Sequence, residues 1–183
     1  VRHPFTPAAN LDMERLRHVA SVAVRFLDDV IDVTRYPLDE QKREAQNKRR
    51  IGLGITGLAD ALIMCGLRYG RKPAVDAAGA WMGAIREQAE VVTRSLGEEK
   101  GSFPLHNHYG GKERRNSHLT SIQPTGTISL LAGNVSGGIE PVFDWTINRT
   151  VLLPDGSRQE MICDDYAYAL AGRKAKGDEW VRA

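Results

Sequence analysis

"RRIGLGITGLADAL", residues 49–62, spells Gly-x-Gly-x-x-Gly at Gly52, Gly54 and Gly57. In a dinucleotide-binding fold these glycines follow a buried strand and open a helix whose N-terminus holds a pyrophosphate. The context here is different. Only Ile51 separates Gly52 from the polar run "QNKRR", so no strand is expected to feed the turn. Asp76 lies at a tolerable distance for a ribose-binding acid, but inside a helical pattern rather than at a strand end. The expected structure is a glycine-lined turn that packs the "GLADALIMC" helix against neighbouring backbone, not a Rossmann site.

The surrounding pattern is helix-rich α/β. On the N-terminal side, Leu16, Val19, Ala20, Ala23, Phe26, Leu27, Val30 and Ile31 keep i, i+3, i+4 spacing, which predicts an amphipathic helix with that face buried. Asn10 is the expected N-cap, with Asp12 and Glu14 in the first turn to suit the dipole. "RYPLDEQKREAQNKRR", residues 35–50, is polar and shows no clear apolar face. On the C-terminal side, Gly66 reads as the C′ glycine of the short helix. A long helix is expected from about Pro73 to "EEKG" at Gly101. Residues 102–118 read as a loop. "LTSIQ" reads as a short strand and "PTGTISLLA" as a loop turning into a short helix. Two strands are expected around the turn 154–156, and Asp164 is placed to cap a last helix.

Composition narrows the function classes. A formal net charge of +2 over 183 residues, with neither a basic block nor a basic stripe, argues against a nucleic-acid partner. No apolar run reaches membrane-spanning length and no signal-peptide core opens the chain, so no membrane partner is expected and the cytoplasm is the expected compartment. Cys65 and Cys163 are the two cysteines. They form no CxxC and read as buried reduced thiols. The opening "VRHPFTPAAN" reads as a connecting loop, as if the chain were cut from something longer.

"PTGTIS", residues 124–129, is the candidate site. Backbone N–H groups at the start of a helix, with hydroxyls beside them, suit an anion, although such a loop also serves simply as a cap. It carries no lysine. Arg114, Arg115, Arg149 and the run 48–50 are further cations that phosphate could meet. His106, His108 and His118 read as solvated loop histidines without the acidic or thiolate partners a zinc site needs, so no metal is expected. Glu140, in a Gly-rich loop, could hold amides or reach a substrate hydroxyl. No nucleophile motif is present.

Taken together, "NLDMERLRHVASVAVRFLDDVIDVTRYP", "RRIGLGITGLADALIMCGLRYG", "EKGSFP" and "RNSHLTSIQPTGTISLLAGNVSGGIEPVF" resemble the catalytic chain of ribonucleotide reductase. The likeness runs in order over about residues 10–166 and is nearest to the adenosylcobalamin-dependent (class II) form, with a class I diiron or dimanganese relative as the alternative. The resemblance implies a segment of that family's ten-stranded α/β barrel, spanning residues 1–183 with a flexible tail at 171–183. It implies the reduction of ribonucleoside di- or triphosphates by thiyl-radical chemistry. It also implies that Pro124, Thr125, Gly126, Thr127 and Ile128 hold the substrate phosphates, with Ser129 as a further donor or cap. No catalytic residue is expected in this segment. The family's Asn-x-Cys-x-Glu motif and redox cysteine pairs are not found in these residues, so the chain is expected to bind no adenosylcobalamin and to be inactive by itself. Its expected partner is the remainder of a reductase chain. A stand-alone phosphate-binding module or a purely structural piece are the alternatives. A half-barrel would expose strand edges and its inner face, so the isolated chain is expected to form a homo-dimer or rearrange into helix-dominated packing.

Overall fold

Two acidic residues begin the first helix. Asp12, not Asn10, is its N-cap: the Asp12 carboxylate accepts the Arg15 N–H at 3.0 Å, and α1 spans Met13–Val33. The computed structural model describes residues 1–109 and 111–174. The further helices are α2 (Asp39–Lys48), α3 (Leu58–Met64), α4 (Lys72–Lys100), α5 (His106–Tyr109), α6 (Gly126–Leu131) and α7 (Tyr166–Lys174). Strands β1 (Thr146–Leu152) and β2 (Arg158–Asp164) pair antiparallel, from Thr146 opposite Asp164 to Leu152 opposite Arg158. The architecture is therefore helix-rich α/β with one small two-stranded sheet among the described residues. The tail expected at 171–183 is helical in α7 as far as Lys174, and 175–183 lie outside the described residues. Among the described residues no helix is long and apolar enough to cross a membrane.

The chain divides into two compact units. One comprises Asp12–Gly54 and Ala78–Ile122. Its apolar core is Val24, Ile31, Ile51, Ala89, Leu96 and Leu119. Against that core runs a short parallel pairing. Ile51 N–H donates to His118 O at 3.0 Å, Leu53 N–H to Leu119 O at 2.8 Å, and Ser121 N–H to Leu53 O at 3.1 Å. A short extended run thus does precede the glycine turn, contrary to expectation. Its burial shows no strand pattern, since Ile51 is buried and both Gly52 and Leu53 are only partly so.

An ion cluster around the buried pair Arg49 and Asp28 holds this unit together. The αL backbone of Arg49 (φ 43°) closes α2 and turns its side chain inward to α1. Arg49 Nε donates to Asp28 Oδ1 at 2.9 Å, Nη2 to Asp28 O at 2.9 Å, and Nη1 to Asp32 Oδ1 at 2.7 Å. Asp28 also accepts from Asn116 Nδ2 at 2.8 Å and Arg115 Nε at 3.2 Å. Asp32 is held below the usual carboxylate range by its hydrogen bond to Arg49. The burial of Asp28 explains why the apolar face expected on α1 is only partly the buried one. Ala20, Val24, Asp28 and Ile31 face inward, whereas Val19, Val22, Phe26 and Val33 are exposed.

The second unit comprises Val1–Leu11, Ile55–Ala77 and Gln123–Ala183. It holds α3, α6, the sheet and α7, with Leu58, Ala59, Leu62, Ala167 and Ala171 buried.

Removing one member of a buried pair strands the other charge, at a cost of about 3–5 kcal/mol. Arg49→Ala is expected to lower unfolding stability by that amount in urea titrations. Arg50→Ala, at the exposed neighbouring position, should change it by no more than ~0.5 kcal/mol. Equal effects at the two arginines would remove the cluster from its supporting role.

Candidate functional site

The PTGTIS loop is built on a strained residue. Thr125 has φ 53° and ψ 27°, a left-handed conformation that a β-branched side chain adopts only when its surroundings impose it. A hydroxyl relay imposes it. Gly138 N–H donates to Thr125 Oγ1 at 2.7 Å, Thr125 Oγ1 donates to Thr56 Oγ1 at 2.9 Å, and Thr56 Oγ1 donates to Ser136 O at 2.9 Å. Each hydroxyl gives its one proton and receives one.

The facing loop needs its glycines. A Cβ on Gly137 would lie 2.7 Å from Pro124 O, and one on Gly138, whose φ is +48°, would lie 2.3 Å from Gln123 O. Backbone therefore packs on backbone, and any larger residue would push the two loops apart. The same loop docks onto the glycine turn of the opening motif. Gly57 N–H donates to Ser136 O at 2.8 Å, and Ser136 Oγ accepts Ala59 N–H at 3.2 Å. Gly57 itself has φ +74°, and a Cβ there would meet Val135 at 3.3 Å. The α3 N-terminus is thus occupied by protein groups, which is the physical reason that Gly52, Gly54 and Gly57 form no pyrophosphate site.

Sequence reasoning missed Asp60, which is 1 % exposed. Its carboxylate accepts Ser136 N–H at 2.6 Å and Ala167 N–H at 3.0 Å, and so ties α3, the glycine loop and α7 together. Asp165, not Asp164, caps α7, accepting from Ala167 N–H at 3.0 Å and Tyr168 N–H at 3.2 Å. Burial, with the Asp60 charge beside it, pushes the Asp165 carboxyl up to about 6.

Around this frame the predicted residues come together. Gly126, Thr127 and Ile128 form the first turn of α6, so their N–H groups have no carbonyl within the helix to bond. Among the described residues they make no hydrogen bond, and all three residues are exposed. The Thr127 hydroxyl is beside them. Pro124 and Thr125 shape the turn, Thr125 through the relay just described. Ser129 is different: it is buried, and its hydroxyl donates back to Gly126 O at 2.9 Å, so its proton is already committed.

The turn borders a cleft of about 430 Å³ whose wall includes Gly126, Thr127, Glu140, Asp144, Arg149 and Asp165. Arg149 is its one cation among the described lining residues. Arg149 Nη2 donates to Asn134 Oδ1 at 3.2 Å, while its buried Nε has no partner.

Other candidates stand apart from this cleft. His106 is not solvated but buried, its Nε2 2.9 Å from Lys112 O, whereas His108 and His118 are exposed. Both cysteines are free and partly buried, and burial pushes the Cys65 thiol up. Asp28, Asp29 and Asp32 lie close enough together to hold a cation, but Arg49, Arg115 and Lys100 already neutralise them.

Comparison with known proteins places the chain in a family. The family model described as the ribonucleotide reductase barrel domain matches residues 3–114. The vitamin B12-dependent ribonucleoside-diphosphate reductase of Mycobacterium tuberculosis H37Rv is 46 % identical over 145 residues, covering 78 % of this chain and 20 % of that protein. Its counterpart in Thermoplasma acidophilum is 40 % identical over 148 residues, covering 78 % of this chain and 19 % of that protein. The ribonucleoside-diphosphate reductase subunit alpha of Chlamydia trachomatis is 33 % identical over 153 residues, covering 81 % and 14 %. The chain thus spans about a fifth or less of the length of these relatives.

Asp165 makes the stability of this region depend on pH. Its folded value of about 6 exceeds the ~3.9 of an unfolded aspartate, so folding favours the protonated form. That contribution is complete below about pH 4 and is lost as the pH rises through about 6. Asp165→Asn keeps an acceptor for the α7 cap and offers an N–H toward Asp60. It is expected to raise stability by on the order of 1–2 kcal/mol at pH 7.5 and to change little at pH 4, as read by thermal unfolding at the two values. An equal change at both would detach the effect from titration.

Proposed function

The chain belongs to the ribonucleotide reductase barrel-domain family, and from that premise we propose that it is a segment of a class II ribonucleotide reductase catalytic chain that supplies the loop binding the substrate phosphates. The whole enzyme would reduce ribonucleoside di- or triphosphates to deoxyribonucleotides for DNA synthesis in the cytoplasm. The segment would form part of the family's ten-stranded barrel over residues 1–183. The observation that carries the reading is the turn at 126–128: three exposed N–H groups without partners, held in place by a Thr125 conformation that the rest of the loop maintains. Backbone amides and the Thr127 hydroxyl suit phosphate oxygens and need no lysine. The Arg149 guanidinium, which lines the same cleft, would supply the cationic contact that the loop itself lacks.

The reading assigns binding, not radical chemistry, to these residues. Neither Cys65 nor Cys163 lies in an Asn-x-Cys-x-Glu motif. No adenosylcobalamin step is assigned to these residues. The exposed apolar residues of α1, together with Leu131 and Phe143 at 90 % and 80 % exposure, are surfaces that the remainder of a reductase chain would cover.

Two measurements test the reading. Gly126→Pro removes one of the three N–H groups and disfavours the helical-type backbone that Thr125 needs. Thr127→Val removes only a hydroxyl, at a cost of about 1 kcal/mol, or roughly fivefold in affinity. Titration calorimetry with a ribonucleoside diphosphate should show loss of binding for the first and the smaller drop for the second. Unchanged binding in both removes the loop from the site. In sedimentation, the 183-residue chain alone is expected to self-associate through its uncovered apolar faces. A monomer at all concentrations would contradict the larger-barrel reading.

A further inference from the structure

In the unit that carries the Arg49 cluster, a second cleft of about 280 Å³ has the opposite electrical character. It is lined by Lys48, Arg50, Phe103, His106, Arg114, Ser117 and His118. None of these is acidic. By contrast, the cleft beside the PTGTIS loop includes Glu140, Asp144 and Asp165 in its wall.

The donors at this cleft are only partly used. Lys48 is paired with Glu44 one turn earlier on α2, with two of its three N–H groups left over. Arg114 Nε donates to Asn116 O at 2.7 Å, Nη1 to Glu90 Oε1 at 3.2 Å and Nη2 to Ser117 O at 3.3 Å. A guanidinium has five N–H groups, so two of them are spare. Arg50 makes no hydrogen bond or ion pair among the described residues and is attracted only at longer range by Glu44. It is the uncompensated charge of the group. His106 adds a buried donor or acceptor. It is 8 % exposed, its ring stands edge-on to Phe103 at 5.4 Å, and its Nε2 must carry a proton to bond the Lys112 carbonyl at 2.9 Å. Its Nδ1 has no described partner. Ser117 Oγ and His118 Nδ1, 3.1 Å apart, complete the polar wall.

Position in the chain separates this cleft from the loop. Arg50 and His118 immediately precede the paired extended runs at 51–53 and 119–121, whereas Pro124 follows the second run. The backbone of Arg50 and His118 is therefore set by the same pairing that lies against the core, and Lys48 O is tied to it through the Ser117 N–H at 3.3 Å.

We propose that this cleft is a phosphate-binding site separate from the PTGTIS loop, which takes a phosphate or diphosphate group through Arg50, Lys48, Arg114 and the two histidines. Convergent cations without a lining carboxylate favour a multiply charged anion, and spare N–H groups on two of them supply directed bonds to its oxygens. Inorganic phosphate, pyrophosphate and the phosphoryl end of a nucleotide all offer this group. These sources share one chemistry and differ in what lies beyond it.

The test follows the imidazole resonances of His106 and His118 in the 183-residue chain during titration with inorganic phosphate, pyrophosphate and a ribonucleoside diphosphate at low ionic strength. Both histidines are expected to shift with at least pyrophosphate, and the affinity should fall with added salt. Arg50→Gln, at an exposed position that folding does not depend on, should weaken binding about tenfold. Thr127→Val, in the other cleft, should leave these shifts unchanged. Tighter binding of the nucleoside diphosphate than of pyrophosphate would identify a nucleotide as the source, and equal affinities would identify the inorganic anion. Absence of shifts with all three probes would overturn the proposal. So would shifts unaffected by Arg50→Gln, or shifts abolished by Thr127→Val, the last because it assigns the anion to the loop. Failure here leaves the calorimetric result at the loop untouched.

Discussion

The pairing of Arg49 with Asp28 organises everything near it. Both groups are nearly or wholly withdrawn from water, with Arg49 4 % and Asp28 0 % exposed. Such burial is unfavourable unless the remaining donors and acceptors are satisfied. Here they are: the guanidinium reaches the Asp28 carboxylate, the Asp28 carbonyl and Asp32, while Asp28 also receives Asn116 and Arg115. Arg49 enters this cluster by closing α2 in a left-handed turn, and two residues later the chain is committed to the extended run at Ile51. Asn116, two residues before His118, is drawn into the same cluster, and Thr93 Oγ1 accepts its N–H at 2.9 Å. The parallel pairing of 51–53 with 118–121 is thus aligned from one end by a buried ion cluster, rather than by apolar burial alone.

The other unit is governed by close backbone approach. Gly137 and Gly138 leave room for the Gln123 and Pro124 carbonyls, and Gly57 leaves room for Val135. Polar groups then fill the contacts. Asp60 gathers N–H groups from Ser136 and Ala167, and the Thr125–Thr56 relay ends on Ser136 O. Ser136 recurs in each of these contacts. Through its N–H, carbonyl and hydroxyl it links the glycine turn before α3 to the loop facing α6. The strain in Thr125 is held by this network, and the exposed N–H groups of α6 are aimed by it.

What the sequence shows, and what it hides, follow from these two constraints. Local chemistry was legible. The long helix, the hairpin around 154–156, the short helix after "PTG" and the C′ role of Gly66 all follow from periodicity and turn residues, and each is present. The reason that 52–57 does not read as a dinucleotide turn is legible only in part: an extended run does precede the turn, and Ser136 occupies the α3 N-terminus. Caps were misplaced by small amounts, Asp12 for Asn10 and Asp165 for Asp164, because neighbouring residues were equally able to cap. The inward face of α1 was only partly legible, since an apolar moment does not foresee that Asp28 goes in and Phe26 stays out. Residues 39–48 lack an apolar face and still form α2, which has no buried residue and is anchored beyond its end by Arg49. The loop 124–128 is legible as a candidate phosphate site from its turn residues and hydroxyls. The groups that hold its shape, Thr56, Asp60 and Ser136, are not legible, because each acts through a partner about 70 or more residues away.

The distribution of charge around the loop cleft restricts how a substrate can lie in it. In the proposed reading, neutral N–H groups at 126–128 would hold the anion without a titrating partner, so binding there would depend on their fixed direction and not on the protonation of a side chain. The same wall carries Glu140, Asp144 and Asp165 against the lone guanidinium of Arg149. A phosphate displaced from the amide turn toward those carboxylates would meet like charge in a partly enclosed space, where repulsion is poorly screened. Hydroxyl groups, in contrast, can donate to carboxylates. In the proposed reading the phosphates therefore lie at the α6 turn, and the acid-bearing wall is left for the hydroxyl-bearing sugar. That orientation follows from the chemistry of the two ends of the cleft, and under it the proposed loop would need no lysine of its own.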